Sequence, residues 1–84
     1  DPEAWLMLHE IYLLVGQYKR AAFCIEELIL VNPMAYMYHL RYGELLYTQA
    51  CSGHKSNELF RQARKYFAHA LELKPENNLR ALSR

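Results

Sequence analysis

The chain has 84 residues and a mass of 10.0 kDa, and it is 52% hydrophobic and 13% aromatic, too apolar for a disordered segment and too short for two domains. Ten Lys and Arg against nine Asp and Glu leave a net charge of +1, without the strong positive field that nucleic-acid or generic anionic-membrane binding draws on. The longest apolar runs are four or five residues, as at Leu28-Ile29-Leu30-Val31, whereas a bilayer span needs roughly 20, so no direct membrane span is expected.

The elements follow from punctuation and periodicity. Asp1-Pro2 supplies an N-cap and a first-turn proline, and Trp5, Leu8, Ile11, Tyr12 and Val15 then recur at spacings of three and four. This predicts an amphipathic helix that Gly16 ends. A second, short helix, antiparallel to the first, is expected through Ala21, Ala22, Ile25, Leu28 and Ile29 until Asn32-Pro33 stops it. A third is expected from Ala35 to about Ala50, carrying Tyr38, Tyr42, Leu45 and Leu46. A fourth is expected from about Asn57 to Lys74, carrying Leu59, Ala63, Tyr66, Phe67, Ala70 and Leu71, with Pro75 closing it. The remaining residues, 76–82, read as a turn and the first helical turn of a further element, so the chain reads as cut from something longer. Cys24 and Cys51 are too few for a disulfide scaffold, and no Asn-x-Ser/Thr acceptor occurs, which fits a reducing cytosolic setting with free thiols.

The helices repeat. Ala21, Ile25 and Leu28 precede Pro33 by 12, 8 and 5 residues, and Ala63, Phe67 and Ala70 precede Pro75 by the same intervals. The prolines are 42 residues apart, about eight more than the 34 of the commonest helix-turn-helix repeat. The polar stretch at about 49–57, interrupted by Ser52-Gly53, is the expected place for the surplus, as a lengthened turn. One domain is thus expected: a first repeat at 1–34, a second at 35–76 and the start of a third at 77–84.

Trp5, Leu8, Tyr12, Gly16, Tyr18, Ala21, Ile25 and Pro33, then Tyr42, Gly43, Leu46, Ala63, Phe67, Ala70 and Pro75, resemble the signature of the tetratricopeptide repeat family. The resemblance implies an all-α fold of helix-turn-helix repeats stacked as a short right-handed α-solenoid. Gly43 and Ala63 leave room for close helix approach, while Trp5, Tyr12 and Phe67 fill the spaces between helices. His9 and Leu28 stand where the pattern carries small residues, so wider or shifted packing is expected there. A narrower set, Asp1-x-Glu3-Ala4-Trp5, the run 21–28 around Phe23-Cys24, Tyr47-Thr48-Gln49, 64–68 and 80–82, is similar to the family of tetratricopeptide subunits of the endoplasmic reticulum membrane protein complex. That likeness implies a cytosolic scaffold, peripheral to the ER membrane, in a complex that inserts transmembrane proteins.

Candidate chemistry is sparse. Cys51 and His54 have a metal-like spacing but lack the third and fourth ligands zinc requires, so a polar turn is the favoured reading over a metal-dependent regulator or enzyme. No catalytic set, cofactor site or metal site is assigned. Glu26 and Glu27 are adjacent on a helix and project about 100° apart, which suits a solvated face better than acid–base work. Tyr38 and Tyr42, one turn apart, read as packing rather than as a stacking platform for a ligand. Arg61, Arg64 and Lys65, joined by His69, form one stripe, readable as a solvated outer face or as a surface for an acidic partner.

By analogy with the family, the first helix of each pair lines a concave groove. Its candidate lining is Glu3, Leu6, Glu10 and Leu13 from the first helix and Met37, Leu40, Glu44 and Tyr47 from the third. Acids mixed with large apolar groups suit a peptide, extended or helical, with apolar anchors and a few basic residues. Leu6 and Glu10 stand where a carboxylate clamp for acidic chaperone tails needs Lys and Asn, so tight binding of such tails in the groove is not expected. The function expected is a non-catalytic interaction scaffold whose partners are other subunits of a membrane complex; a soluble adaptor of co-chaperone type is the alternative. A helix pair cannot bury its apolar face alone, and about three units are normally needed for stability. The 84-residue chain is therefore expected to self-associate. Sedimentation at increasing concentration should show dimers or larger species, and a clean monomer throughout contradicts the expectation.

Overall fold

The structure, a computed structural model, describes residues 1–53 and 57–74, so Pro75, His54 and the expected start of a third repeat at 77–84 lie outside the described residues. Four helices follow one another: α1 (Pro2–Leu14), α2 (Tyr18–Val31), α3 (Tyr36–Cys51) and α4 (Asn57–Leu73). Each packs on the next, α1 on α2, α2 on α3 and α3 on α4, the arrangement of a helical repeat stack. At 14 residues, α2 is not shorter than the 13-residue α1; tertiary contact on two sides, from α1 and α3, carries it to Asn32.

The ends are set locally. Asp1 caps α1 by accepting the Glu3 N–H at 3.1 Å, and Pro2 occupies the first turn, where its missing N–H costs nothing. At the other end Gly16 has φ 81°, the Gly16 N–H donates to Leu13 O at 3.2 Å, and the Gln17 N–H donates to Tyr12 O at 2.8 Å. This is a Schellman closure, which needs a residue that tolerates positive φ and reverses the chain within three residues. After α2, the Asn32 N–H still reaches Leu28 O at 2.9 Å, but Pro33 has no N–H with which to continue. Pro33 O instead accepts from His39 Nε2 at 2.8 Å, so a buried ring from α3 pins the turn that joins the two pairs.

The eight extra residues of the second pair are distributed. α3 has 16 residues against 13 in α1, α4 has 17 against 14 in α2, and the remaining two fall between α3 and α4. Gln49, Ala50 and Cys51 belong to α3, and Ala50 is fully buried, so packing rather than a polar loop claims that stretch.

The core is built mainly from the second helices and from α3: Ala21, Cys24, Ile25 and Leu28 of α2, Leu45, Leu46 and Ala50 of α3, and Ala63 and Ala70 of α4. The two pairs solve the same crossing with exchanged bulk. In the second pair a Cβ on Gly43 would lie 2.8 Å from the Phe67 ring and 3.3 Å from Ala63 O, so the ring takes the space. In the first pair His9 replaces that glycine and is fully buried, its Nδ1–H donating to Ala21 O at 2.9 Å, while Ile25 stands in place of the phenylalanine. The wider packing expected at His9 is offset by a smaller partner and an added hydrogen bond. The acceptors match as well, since Ala21 and Ala63 occupy the same position before their prolines.

Exposed apolar side chains concentrate on the first pair and the turn after it, including Ile11 at 52%, Phe23 at 54% and Leu14 at 86% exposure. Overpacking by one methyl costs about 1–3 kcal/mol, against a gain of about 1 kcal/mol from replacing a helical glycine. Gly43→Ala is therefore expected to lower stability by up to about 2 kcal/mol in urea unfolding, with most of the loss recovered when Phe67→Ile is added. Strictly additive effects of the two substitutions would refute the exchange.

Candidate partner-binding groove

The groove residues expected on α1 and α3 are surface groups. Glu3, Met37, Glu44 and Tyr47 are exposed, while Leu6, Glu10, Leu13 and Leu40 are half-buried. Of these, the structure directly connects Glu10 and Glu44, through Arg41. Arg41 Nη2 lies 3.1 Å from Glu10 Oε2, and Nη1 lies 3.8 Å from Glu44 Oε1. The Arg41 side chain is 32% exposed, and its Nε is buried without a hydrogen-bond partner among the described residues. One guanidinium thus spans the junction between the pairs and partly neutralises the two acids. The sequence shows the three-residue step from Arg41 to Glu44; its reach to Glu10 is a consequence of how α3 stacks beside α1. Tyr47 packs edge-on to Phe60 of α4 with ring centroids 5.6 Å apart, and Leu40 also borders a hollow with Tyr36, Phe67 and Leu71.

The opposite side of the junction has its own polar tie. Tyr42 OH donates to Glu26 Oε2 of α2 at 2.7 Å, and the Tyr42 ring meets Tyr66 of α4 at 4.6 Å. Burial, followed by the hydrogen bond to the Glu26 carboxylate and its charge, pushes the Tyr42 phenol well above its ordinary range, so it is a permanent donor at neutral pH. Glu26 is thereby a partner of α3 rather than half of a carboxylate pair. His39 extends the aromatic layer, with its ring 6.1 Å from Tyr66 and 4.6 Å from His69. Tyr38 is half-buried.

The signature residues divide between core and surface. Ala21, Gly43, Ala63 and Ala70 are buried, Tyr12 and Phe67 are half-buried, and Trp5 and Leu8 are 36% and 39% exposed, with Trp5 edge-on to Phe23 at 6.1 Å. Cys24 is buried, which pushes its thiol up, and Cys51 is exposed. Among the described residues, no group of three or more His, Cys, Asp or Glu is placed to hold a metal ion, and no helix is long and apolar enough to cross a membrane.

This stack of paired helices, with small residues at the crossings and proline turns between pairs, matches a known protein family over residues 1–66, the EMC2 TPR-like repeat domain. The chain belongs to that family. It is 46% identical over 82 residues to the ER membrane protein complex subunit 2 of Xenopus tropicalis, covering 98% of this chain and 26% of that protein. The subunit of the same name from Saccharomyces cerevisiae is 33% identical over 75 residues, covering 87% of this chain and 26% of its own length. That from Dictyostelium discoideum is 35% identical over 73 residues, covering 87% and 21% respectively. The chain thus spans about a quarter of the length of these EMC2 relatives.

Partly exposed ion pairs are worth about 0–1 kcal/mol and weaken with salt. Arg41→Gln, which removes both pairs and leaves two glutamates facing one another, is expected to lower stability by about 0.5–1 kcal/mol in dilute buffer. The deficit should shrink in about 0.5 M NaCl, as chemical denaturation at two salt concentrations will show. A deficit independent of salt would assign the effect to packing of the arginine stem instead.

Proposed function

We propose that this chain is the repeat segment of a non-catalytic scaffold subunit of an ER membrane protein complex, lying on the cytosolic face of the membrane and supporting insertion of transmembrane proteins. Its concave groove, from Glu3, Leu6, Glu10 and Leu13 to Met37, Leu40, Glu44 and Tyr47, holds a segment of another subunit. The observation that carries this reading is family membership together with EMC2 relatives that bear the complex in their names.

The groove chemistry supports a protein ligand. Leu6, Leu13, Leu40, Met37 and Tyr47 offer apolar anchoring surface, and an interface of this kind gains most of its affinity from a few such anchors. Glu10, Arg41 and Glu44 form a charged strip with two acids to one base, and Glu3 adds another acid, so a segment with apolar residues and one or two lysines or arginines fits best. The groove partner is therefore a helical or extended segment with mixed apolar and basic character.

The test is affinity capture by the full-length protein from detergent-solubilised membranes and, separately, from cytosol. Membrane-complex subunits are expected in the first fraction, and Met37→Asp with Tyr47→Asp is expected to reduce their recovery about tenfold or more, the loss of one or two interface anchors. Recovery of soluble chaperones alone would remove the ER assignment and favour a soluble adaptor.

A further inference from the structure

A second surface lies on the other side of the stack. α4 presents Arg61, Arg64 and Lys65, all exposed, on the face opposite its buried Ala63 and Ala70. Arg61 is turned to Glu58 at 2.9 Å, while Arg64 and Lys65 have no ion-pair partner among the described residues. Two hollows flank the stripe. One is bordered by Asn57, Phe60, Arg61 and Arg64, and the other by Tyr42, Arg61, Gln62, Lys65 and Tyr66 together with Glu58. Each sets an aromatic side chain beside a cation.

The first pair repeats the arrangement. A hollow between α1 and α2 is bordered by Trp5, Leu8, Tyr12, Phe23 and Cys24, with Lys19 and Arg20 at its rim. Counting back from the prolines, Lys19 and Arg20 correspond to Arg61 and Gln62, and Phe23 corresponds to Lys65. The two hollows thus occupy equivalent places in successive pairs. Lys19 and Arg20 also occupy the first turn of α2, which has no acidic residue and no side-chain cap. Cations there oppose the helix dipole, an arrangement that costs helix stability and concentrates positive potential at the surface.

We propose that the exposed cations Lys19, Arg20, Arg61, Arg64 and Lys65 act as one band that docks an acidic segment of a protein partner, whose apolar or aromatic side chains enter the flanking hollows. The concave groove and the band then have opposite charge preferences, and the two sides of the stack accept different segments. A protein segment fits better than an anionic membrane surface. The interspersed Glu58, with Glu26 and Glu27 further along α2, would repel a uniformly negative plane but not a segment set in register.

The test uses the full chain and a fluorescein-labelled peptide built from four Glu-Glu-Phe-Glu units, read by fluorescence anisotropy. Binding is expected to weaken about tenfold or more when Arg64→Glu and Lys65→Glu are combined, and again in about 0.5 M NaCl. It should weaken also with Lys19→Glu and Arg20→Glu, remain unchanged with Glu3→Ala and Met37→Ala in the groove, and fall several-fold when the phenylalanines are replaced by glycine. Circular dichroism checks that the variants fold, and the milder Arg64→Gln, Lys65→Gln pair should give a smaller loss in the same direction. No binding by the parent protein, binding unaffected by the charge reversals, or equal binding of the glycine peptide would each overturn the proposal. So would failure to bind the peptide combined with co-sedimentation with phosphatidylcholine vesicles containing about 30% phosphatidylserine, which would assign the band to a membrane surface.

Discussion

How closely the two helices of a pair can approach decides most of this structure. At Gly43 the approach is so tight that a single added carbon would meet the Phe67 ring and the Ala63 carbonyl. At the matching site of the first pair a whole histidine ring is accommodated, and it satisfies the carbonyl it meets by donating from Nδ1. A buried ring nitrogen needs such an acceptor, and the Ala21 carbonyl provides one beyond its role in the helix. The two crossings carry different residues at matching positions, glycine with phenylalanine in one and histidine with isoleucine in the other.

The junction between the pairs is held differently. The main helix contact there is α2 with α3, and polar ties mark its two sides: Arg41 to Glu10 of α1 on one, Tyr42 to Glu26 of α2 on the other, with His39 pinning the proline turn between them. Such contacts are individually modest in free energy, but they are directional, so they fix the orientation of one pair on the next more than they add stability. They also shape the charge of the surface. Glutamates are gathered around Arg41 on the first-helix side, while Arg64 and Lys65 of α4 have no ion-pair partner among the described residues. A stack of near-zero net charge therefore has two faces of different character, a property that the total of +1 conceals.

Much of this was legible in the sequence. Prolines and glycines at element ends act through the covalent backbone, so helix boundaries at Pro2, Gly16 and Pro33 could be read without a partner in view. The identical 12, 8 and 5 residue intervals before Pro33 and Pro75 likewise reported the pairing of helices, because helical periodicity fixes which residues share a face. The surplus at 49–57 was harder. The third helix expected to about Ala50 ends at Cys51, one residue on, but six of the eight surplus residues lengthen α3 and α4 rather than the turn between them. The groove acids were visible one by one, but their sharing of Arg41 was not, since it joins residues 31 positions apart.

The sequence by itself determined an all-α chain of paired helices, the helix ends at Pro2, Gly16 and Pro33, and the family to which they belong. Those properties arise from local backbone geometry and from periodicity along one helix. Only the tertiary structure decided that His9 is a fully buried, hydrogen-bonded packing group, that Glu26 serves Tyr42, and that the acids of α1 and α3 meet at one guanidinium. Each of these depends on the distance between helices, which is set by how whole side chains fill the space at the crossings and is not encoded in any single stretch of chain.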